Sequence, residues 1–176
     1  MLELQRTKLK DIDKVIEIEA HSENSQFILP YSKNRHQEVL CSVNELHLSI
    51  FKTEELVGFL ILSGVEKPIN SIEFRRIVIA QNQKGKGYGR DIIKQIKRLC
   101  FETLQCQKLW LDVYHFNKKA IHLYKIEGFI KEKIEGDLII MSILRNSKLK
   151  RRDKQTICND AIASLVTQVI DIHPLG

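Results

Sequence analysis

Three glycines on alternate residues, Gly85, Gly87 and Gly89, form the stretch of this sequence best suited to bind a phosphate. Glycine has no Cβ, so successive backbone N–H groups can approach one anion without obstruction. A helical pattern begins just behind the glycines, and a helix N-terminus adds unpaired donors and the positive end of the helix dipole. Three flanking side chains add full positive charges: Lys84, Lys86 and Arg90. This combination predicts a cradle for a pyrophosphate group.

Glycine-rich turns also occur in hairpins and helix caps, so the neighbouring elements decide the meaning of this one. The run Ile77-Val78-Ile79 before it is apolar and β-branched, which predicts a strand. Residues 91–101 after it carry apolar side chains at helical spacing, which predicts a helix. The order of strand, glycine-rich turn and helix start favours the phosphate-binding interpretation.

The rest of the chain up to about residue 146 predicts a mixture of strands and helices. Further strands are predicted at residues 2–6, 46–52, 56–62, 71–80, 108–114, 129–134 and 138–144. Further helices are predicted at residues 11–20, 35–43 and 117–127. The pattern indicates an α/β (α+β) domain over residues 1–146 without internal repeats.

Composition limits the class of protein but does not identify its ligand. The chain has 176 residues, of which 43% are hydrophobic, and this suits one globular domain. The net charge of +6 fits an anionic ligand or a nucleic acid and decides neither. No apolar run approaches the roughly 20 residues of a membrane span, and the N-terminus lacks a signal-peptide pattern, so we expect a cytoplasmic protein.

The cysteines and histidines show no metal-binding spacing, so no metal is predicted. The sequence contains neither a CxxC pair nor an HExxH pattern. We expect four reduced thiols in or near the core: Cys41, Cys100, Cys106 and Cys158.

A second motif lies at residues 117–129 and changes how the glycine loop is interpreted. Its members are Asn117, Ala120, Leu123, Tyr124, Gly128 and Phe129. With both motifs in this order and a strand between them, the chain resembles the GNAT superfamily of acyl-CoA-dependent N-acyltransferases. The coarse order of elements over residues 1–145 also fits. The resemblance implies a mixed, mostly antiparallel sheet of about seven strands, flanked by helices and splayed between strands 4 and 5.

The resemblance also implies acetyl-CoA as co-substrate and assigns its contacts. Backbone groups of the fourth strand would bind the pantetheine arm, amides of the glycine loop would hold the diphosphate, and Asn117 and Tyr124 would lie near the pantetheine and the thioester sulfur. The implied contacts are Ile77, Val78, Ile79, Lys84, Gly85, Lys86, Gly87, Tyr88, Gly89, Arg90, Asn117 and Tyr124. The family usually has Gln or Arg at the place of Lys84 and often Pro at that of Gln81. Neither departure blocks backbone donation to phosphate.

The implied reaction is direct attack of a primary amine on the thioester carbonyl in a ternary complex. An alkylammonium has a pKa of about 10.4 and must lose a proton before it attacks. Glu73, on the fourth strand, is the candidate general base, and Tyr124 is the candidate acid for the leaving thiolate. Structural alternatives remain open. Glu73 could pair with Arg75 or Arg76, Tyr124 could belong to the core, and Asn117 could cap a helix.

Other functions remain open at this stage. A non-catalytic acyl-CoA-binding or interaction module on the same fold is the main alternative. A dinucleotide-binding domain has partial support because Asp112 follows the loop at the end of the next strand, but Arg90 replaces the third glycine. The acceptor amine, small molecule or peptide, is not readable. By family analogy, residues 21–45 and 63–70 shape its site. The acidic residues Glu23, Glu38 and Glu45 there could favour a cationic amine or could only solvate the surface.

Residues 147–176 form a basic linker and an amphipathic extension in this interpretation. The basic run at 148–154 favours a solvated face over a nucleic-acid contact. Residues 156–172 carry apolar side chains at helical spacing, although 165–170 could also form a short strand. The extension could pack on its own domain or on a neighbouring copy, which leaves a homodimer open.

Overall fold

A computed structural model describes residues 1–21, 27–66 and 68–145. In this part of the chain seven strands form one sheet in the order β1-β2-β3-β4-β5-β7-β6. The strands are β1 (Leu2–Arg6), β2 (Glu45–Lys52), β3 (Glu55–Ser63), β4 (Ser71–Ile79), β5 (Lys108–Tyr114), β6 (Ile130–Glu135) and β7 (Leu138–Leu144). The helices are α1 (Ile12–Ala20), α2 (Lys33–Cys41), α3 (Tyr88–Arg98) and α4 (Lys118–Ile126). The mixed α/β fold predicted from the sequence is confirmed.

The sheet opens between its two central strands. Neighbouring strands pair antiparallel except β4 and β5, which are parallel. Their pairing covers only Ser71–Glu73 and Lys108–Trp110, and beyond these residues the strands separate. The C-terminal part of β4 therefore has no neighbouring strand on its β5 side among the described residues. This is the predicted splay between strands 4 and 5.

Helices cover the sheet on both faces, and each face has its own core. On one face, α3 and α4 bury the apolar residues Ile92, Ile93, Ile96 and Ile121 against the sheet. On the other face, α1 and α2 bury Val15, Ile18 and Val39 against Phe59, Ile61 and Val78. The two layers meet at the sheet, so a gap between β4 and β5 connects them.

An irregularity in β4 decides which side chains reach each face. Phe74 pairs with Leu62 but Arg76 pairs with Ile61, so Arg75 is an extra residue in β4. Phe74 and Ile77 both contact the core under α3 and α4 as a result. Strand alternation then turns Glu73 and Arg76 toward the α1 and α2 side.

Two helices begin earlier than the sequence predicted. Ser32 caps α2 by accepting a hydrogen bond from the backbone N–H of Arg35 at 3.2 Å, so the helix starts at Lys33 rather than at residue 35. Helix α3 starts at Tyr88 rather than at residue 91, because Gly87 adopts the left-handed conformation at its N-cap. The last two glycine-loop residues, Gly89 and Arg90, therefore lie in the first turn of α3.

The thiol prediction is only partly confirmed. Cys100 and Cys106 are fully buried, but Cys41 is exposed, because it lies at the end of α2 where the helix leaves the sheet. Cys158, the 147–176 extension and the homodimer that this extension would form fall outside the described residues. No helix in the described ranges is long and apolar enough to cross a bilayer.

Candidate active site

A cavity of about 1070 Å³ lies where β4 and β5 separate. Its walls are the second half of each strand, the glycine loop with the start of α3, and the start of α4. All the site residues predicted from the sequence line it except Lys86: Glu73, Ile77, Val78, Ile79, Lys84, Gly85, Gly87, Tyr88, Gly89, Arg90, Asn117 and Tyr124. Two motifs that are far apart in sequence therefore share one cavity.

Glycine is required at two positions of the loop for backbone reasons. Gly85 and Gly87 have φ angles of +79° and +82°, which side chains with a Cβ rarely adopt. No atom lies within 4 Å of the place a Cβ would take at either residue, so the loop is open on that side. Helix α3 starts directly after Gly87, its N-cap, and the first N–H groups of a helix have no intrahelical partner. This geometry can hold an anionic oxygen cluster.

Two basic side chains of the loop make hydrogen bonds to other residues of the chain. Arg90 Nε donates to Glu127 Oε1 at 2.8 Å, and Lys97 Nζ donates to Glu127 Oε2 at 2.9 Å. Burial would raise the pKa of Glu127, but hydrogen bonds from Arg90 and Lys97 hold it below its ordinary value. Lys86 Nζ donates to Gln83 Oε1 at 2.7 Å. Arg90 therefore links α3 to the end of α4.

Asn117 and Tyr124 occupy two positions along α4. The Asn117 side chain accepts a hydrogen bond from the backbone N–H of Ala120 at 3.2 Å, so it caps the helix and also lines the cavity. Tyr124 is 8% exposed, and its ring packs against Phe74 and Phe129 at centroid distances of 6.5 and 5.7 Å. Burial, and then the charge of Asp112, raise the pKa of Tyr124, so its hydroxyl stays protonated. The core and cavity interpretations of Tyr124 both hold.

Glu73 is held in an ion pair. Its Oε2 accepts hydrogen bonds from Arg75 Nη2 at 2.6 Å and Nε at 3.1 Å. Arg75 also donates to Glu45 Oε1 at 2.9 Å. The sequence alternative in which Glu73 pairs with Arg75 therefore describes its contacts correctly.

Asp112 is a second carboxylate in the cavity wall. Its position in the sequence suggested a role only in a dinucleotide-binding domain. Its neighbours Leu111 and Val113 belong to the core under α3 and α4, so alternation turns Asp112 to the same face as Glu73. Burial, and then the charge of Glu73, raise the pKa of Asp112 above its ordinary value. The sequence signal that could have identified Asp112 is that it is the acidic residue of an apolar strand, at a position that faces away from the core under α3 and α4.

The remaining wall of the cavity comes from the segment before α2. Phe27, Ile28, Leu29 and Tyr31 line it together with Arg76. The Arg76 guanidinium carbon lies 3.7 Å from the centroid of the Tyr31 ring. Residues 27–31 belong to the predicted acceptor region 21–45, whereas no described residue of 63–70 lines the cavity.

The acidic residues expected to attract a cationic amine lie elsewhere or in ion pairs. Glu45 binds Arg35 at 2.7 Å and Arg75 at 2.9 Å, and neither it nor Glu38 lines the cavity. Glu23 lies outside the described residues. Among those residues, no group of His, Cys, Asp and Glu side chains could hold a metal ion.

Comparison with known proteins places this geometry in a family. The model of the acetyltransferase (GNAT) family matches residues 12–129. A spermidine N(1)-acetyltransferase of Vibrio cholerae is 35% identical over 79 residues, which are 45% of each chain. A putative [ribosomal protein bS18]-alanine N-acetyltransferase of Bacillus subtilis is 29% identical over 126 residues, covering 71% of this chain and 78% of the relative.

Solved structures agree with the sequence relatives. The spermidine N-acetyltransferase of Vibrio cholerae in complex with CoA and spermine has a TM-score of 0.73 at 26% identity, covering 84% of this chain and 98% of the other. The first of the curated relatives above is matched over about half of its length only. The family match nevertheless spans most of the chain and includes both motifs. The chain belongs to the acetyltransferase (GNAT) family, as the two motifs predicted.

Proposed function

We propose that this protein transfers an acetyl group from acetyl-CoA to a primary amine by direct attack in a ternary complex. One observation carries the proposal: a single cavity joins the glycine cradle, the protonated hydroxyl of Tyr124 and the carboxylates of Glu73 and Asp112. Membership in the acetyltransferase (GNAT) family supports it. A module that only binds acyl-CoA has no comparable support.

The cavity offers a separate place for each part of acetyl-CoA. The diphosphate would lie against the amides of the loop between Lys84 and Arg90. The pantetheine arm would run along Ile77–Ile79 on the side of β4 that faces away from β3, beyond its pairing with β5, and would bind as an extended chain. Asn117 lies on the other side of the gap, at the start of α4. The thioester would then lie near Tyr124.

The groups that would transfer protons reach the gap from opposite faces of the sheet. Tyr124 approaches the gap from the α3 and α4 side and donates a proton to the leaving CoA thiolate. Asp112 approaches from the α1 and α2 side and accepts a proton from the ammonium, directly or through water. Glu73, the candidate base of the sequence analysis, adds negative charge beside Asp112 and competes with it for this role. The new amide C–N bond forms as the thioester C–S bond breaks.

We further propose a cationic alkylamine, with polyamines first, as the acceptor class. Glu73 and Asp112 bring two carboxylates to the cavity wall, and Glu73 is already paired with Arg75, so Asp112 is the carboxylate that a cationic amine would contact. Relatives named as spermidine acetyltransferases support this choice. The Bacillus subtilis relative makes a peptide with N-terminal alanine the second substrate to test.

Two measurements test the proposal. Because CoA binds the folded chain, CoA at about 100 times its Kd should stabilise the fold by about 2.7 kcal/mol, and an equal concentration of NAD should not. An unchanged melting temperature would exclude CoA as ligand. Thiol release from acetyl-CoA should then increase with spermidine or spermine. Binding without turnover across polyamines, amino sugars, amino acids and alanyl peptides would favour the binding module.

A further inference from the structure

A line of buried polar side chains connects β1 with the cavity wall through the layer of α1 and α2. We call it the buried polar chain. Its members are Thr7, His47, His36, Glu19 and Arg76, and the first four are at most 5% exposed. Thr7 Oγ1 lies 2.8 Å from His47 Nδ1, His47 Nε2 lies 3.0 Å from His36 Nδ1, and His36 Nε2 lies 3.1 Å from Glu19 Oε2. Glu19 Oε1 accepts a hydrogen bond from Arg76 Nη1.

The charge of Glu19 decides which atom of His36 donates to it. Burial opposes the charge of Glu19, but His36 and Arg76 hold its pKa below the ordinary value, so it is an ionised acceptor. His36 Nε2 must therefore donate to it. Burial, with the charges of His36 and Arg76, lowers the pKa of His47 to about 3, so His47 is neutral.

His36 Nε2–H faces the ionised carboxylate of Glu19, and the other ring nitrogens continue the chain. His36 Nδ1 shares a hydrogen bond with His47 Nε2, and His47 Nδ1 shares one with the Thr7 hydroxyl. The Thr7 hydroxyl also lies 2.8 Å from the hydroxyl of Ser49. Each ring nitrogen of the two histidines therefore has a polar partner.

At its Glu19 and Arg76 end, the buried polar chain holds residues 29–31 in the cavity wall. Glu19 Oε2 accepts a hydrogen bond from the backbone N–H of Tyr31 at 2.8 Å, and Arg76 Nη1 donates to the carbonyl of Leu29 at 3.0 Å. The Arg76 guanidinium also stacks on the Tyr31 ring. Residues 29–31 therefore take their place in the wall from one carboxylate–guanidinium pair, which His36 supports from inside.

We propose that the buried polar chain positions Arg76 and residues 29–31, and thereby sets the affinity for the acceptor amine and not for CoA. Arg76 lies on the α1 and α2 face of β4, the face of Glu73 and Asp112, whereas the glycine cradle and Tyr124 belong to the other face. This inference rests on the proposed acetyl transfer. The chain members are positioning residues, because they act through Arg76 and the wall.

Three variants test the proposal by steady-state kinetics with spermidine and acetyl-CoA. His36→Leu removes the donor to Glu19, and losing one buried hydrogen bond to a charge should raise the KM for the amine roughly tenfold. His36→Gln keeps an N–H for Glu19 and should restore most of the affinity. Val39→Ala leaves a cavity in the same helix and core but spares the chain, so its KM for the amine should stay near the wild-type value. The KM for acetyl-CoA should change less than about twofold in all three.

The proposal would be overturned if His36→Leu raised the KM for the amine and the KM for acetyl-CoA equally, or if Val39→Ala raised the KM for the amine as much as His36→Leu does. Either result would mean that the buried polar chain only stabilises the fold. If His36→Leu does not fold, Thr7→Val replaces it. This variant removes only the hydroxyl that orients His47, and we expect a rise of about two- to threefold in the KM for the amine. An unchanged KM in that variant would also contradict the proposal.

A second measurement does not depend on turnover. Nitrogen-15 NMR of the imidazole groups should show a proton on Nε2 of His36 and a neutral ring at His47 near pH 7. The guanidinium protons of Arg76 should exchange slowly with solvent in the wild type and in His36→Gln, and quickly in His36→Leu. If the wild type acetylates no amine, the proposed function fails and this measurement decides alone. An unprotonated Nε2 at His36, or equal Arg76 protection in all variants, would overturn the positioning role.

Discussion

Tyr124 and Asp112 reach the gap between β4 and β5 from opposite faces of the sheet. Tyr124 comes from the core under α3 and α4, where burial keeps its hydroxyl protonated. Asp112 comes from the other face, where burial and then the charge of Glu73 raise its pKa. The gap therefore has a protonated hydroxyl on one side and a carboxyl group on the other.

The variant Tyr124→Phe should lower kcat by about 10- to 100-fold, because the leaving thiolate loses its proton donor. The phenyl ring keeps the contacts with Phe74 and Phe129, so the melting temperature and the affinity for CoA should hardly change. Thiol release assays with saturating amine measure the first effect, and calorimetric titration with CoA measures the second. An undiminished kcat would remove Tyr124 from the chemistry and leave it in the core alone.

The variants Asp112→Asn and Glu73→Gln separate the two candidate bases. If Asp112 accepts the proton, Asp112→Asn should reduce kcat/KM by about 100-fold and abolish the acid limb of its pH profile. Glu73→Gln should retain most activity and move the acid limb to lower pH, because removing the negative neighbour lowers the pKa of Asp112. The opposite pattern, with Glu73→Gln inactive and Asp112→Asn active, would return the role to Glu73.

At the scale of elements, segments that are continuous in sequence could be predicted, whereas contacts between residues far apart in sequence could not. Residues 77–90 and 117–129 are each continuous in sequence, so their side chains and spacing could predict the glycine loop and Tyr124 as site residues, and both line the cavity. The extra residue Arg75 in β4 has no recognisable signal in the local sequence. It nevertheless places Glu73 and Arg76 on the same face of the sheet. The ion pair of Arg90 with Glu127 joins two helices across 37 positions and could not be read from either motif. The wall at residues 27–31 depends on the same kind of distant contact.

The glycine loop allows a prediction with a matched control. Gly87→Ala places a Cβ on a backbone with φ of +82°, which should cost about 1–2 kcal/mol of unfolding free energy. Gly136→Ala imposes similar strain at φ of +56° in the turn between β6 and β7, which does not line the cavity. Urea unfolding should show comparable losses for both variants. Calorimetry should show weaker CoA binding for Gly87→Ala only, and equal weakening in both would mean that the loop has no special part in binding CoA.

At the scale of the whole molecule, the two cores differ in their buried polar content. The α3 and α4 side buries the phenol of Tyr124 near the gap and Glu127 at the end of α4, whereas the α1 and α2 layer encloses Glu19, His36 and His47. Buried groups whose pKa changes on folding make stability depend on pH. The α1 and α2 layer is therefore where acid should first weaken the fold.

His47 gives this pH dependence a sign and a range. Its pKa is about 3 in the folded chain and 6.5 ordinarily, so between these values the unfolded chain binds one more proton. The free energy of unfolding should therefore fall as the pH drops below 6.5, by about 1.4 kcal/mol per pH unit. The lowered pKa values of Glu19 and Glu127 add a further loss below pH 4.5 as these groups become protonated. Urea unfolding at pH 7.5, 6.5, 5.5 and 4.5 would measure the slope. His47→Gln should flatten it between pH 6.5 and 4.5, whereas His122→Gln, at an exposed position of α4, should leave it unchanged. A wild-type slope retained in His47→Gln would mean that His47 is not the group that couples folding to pH.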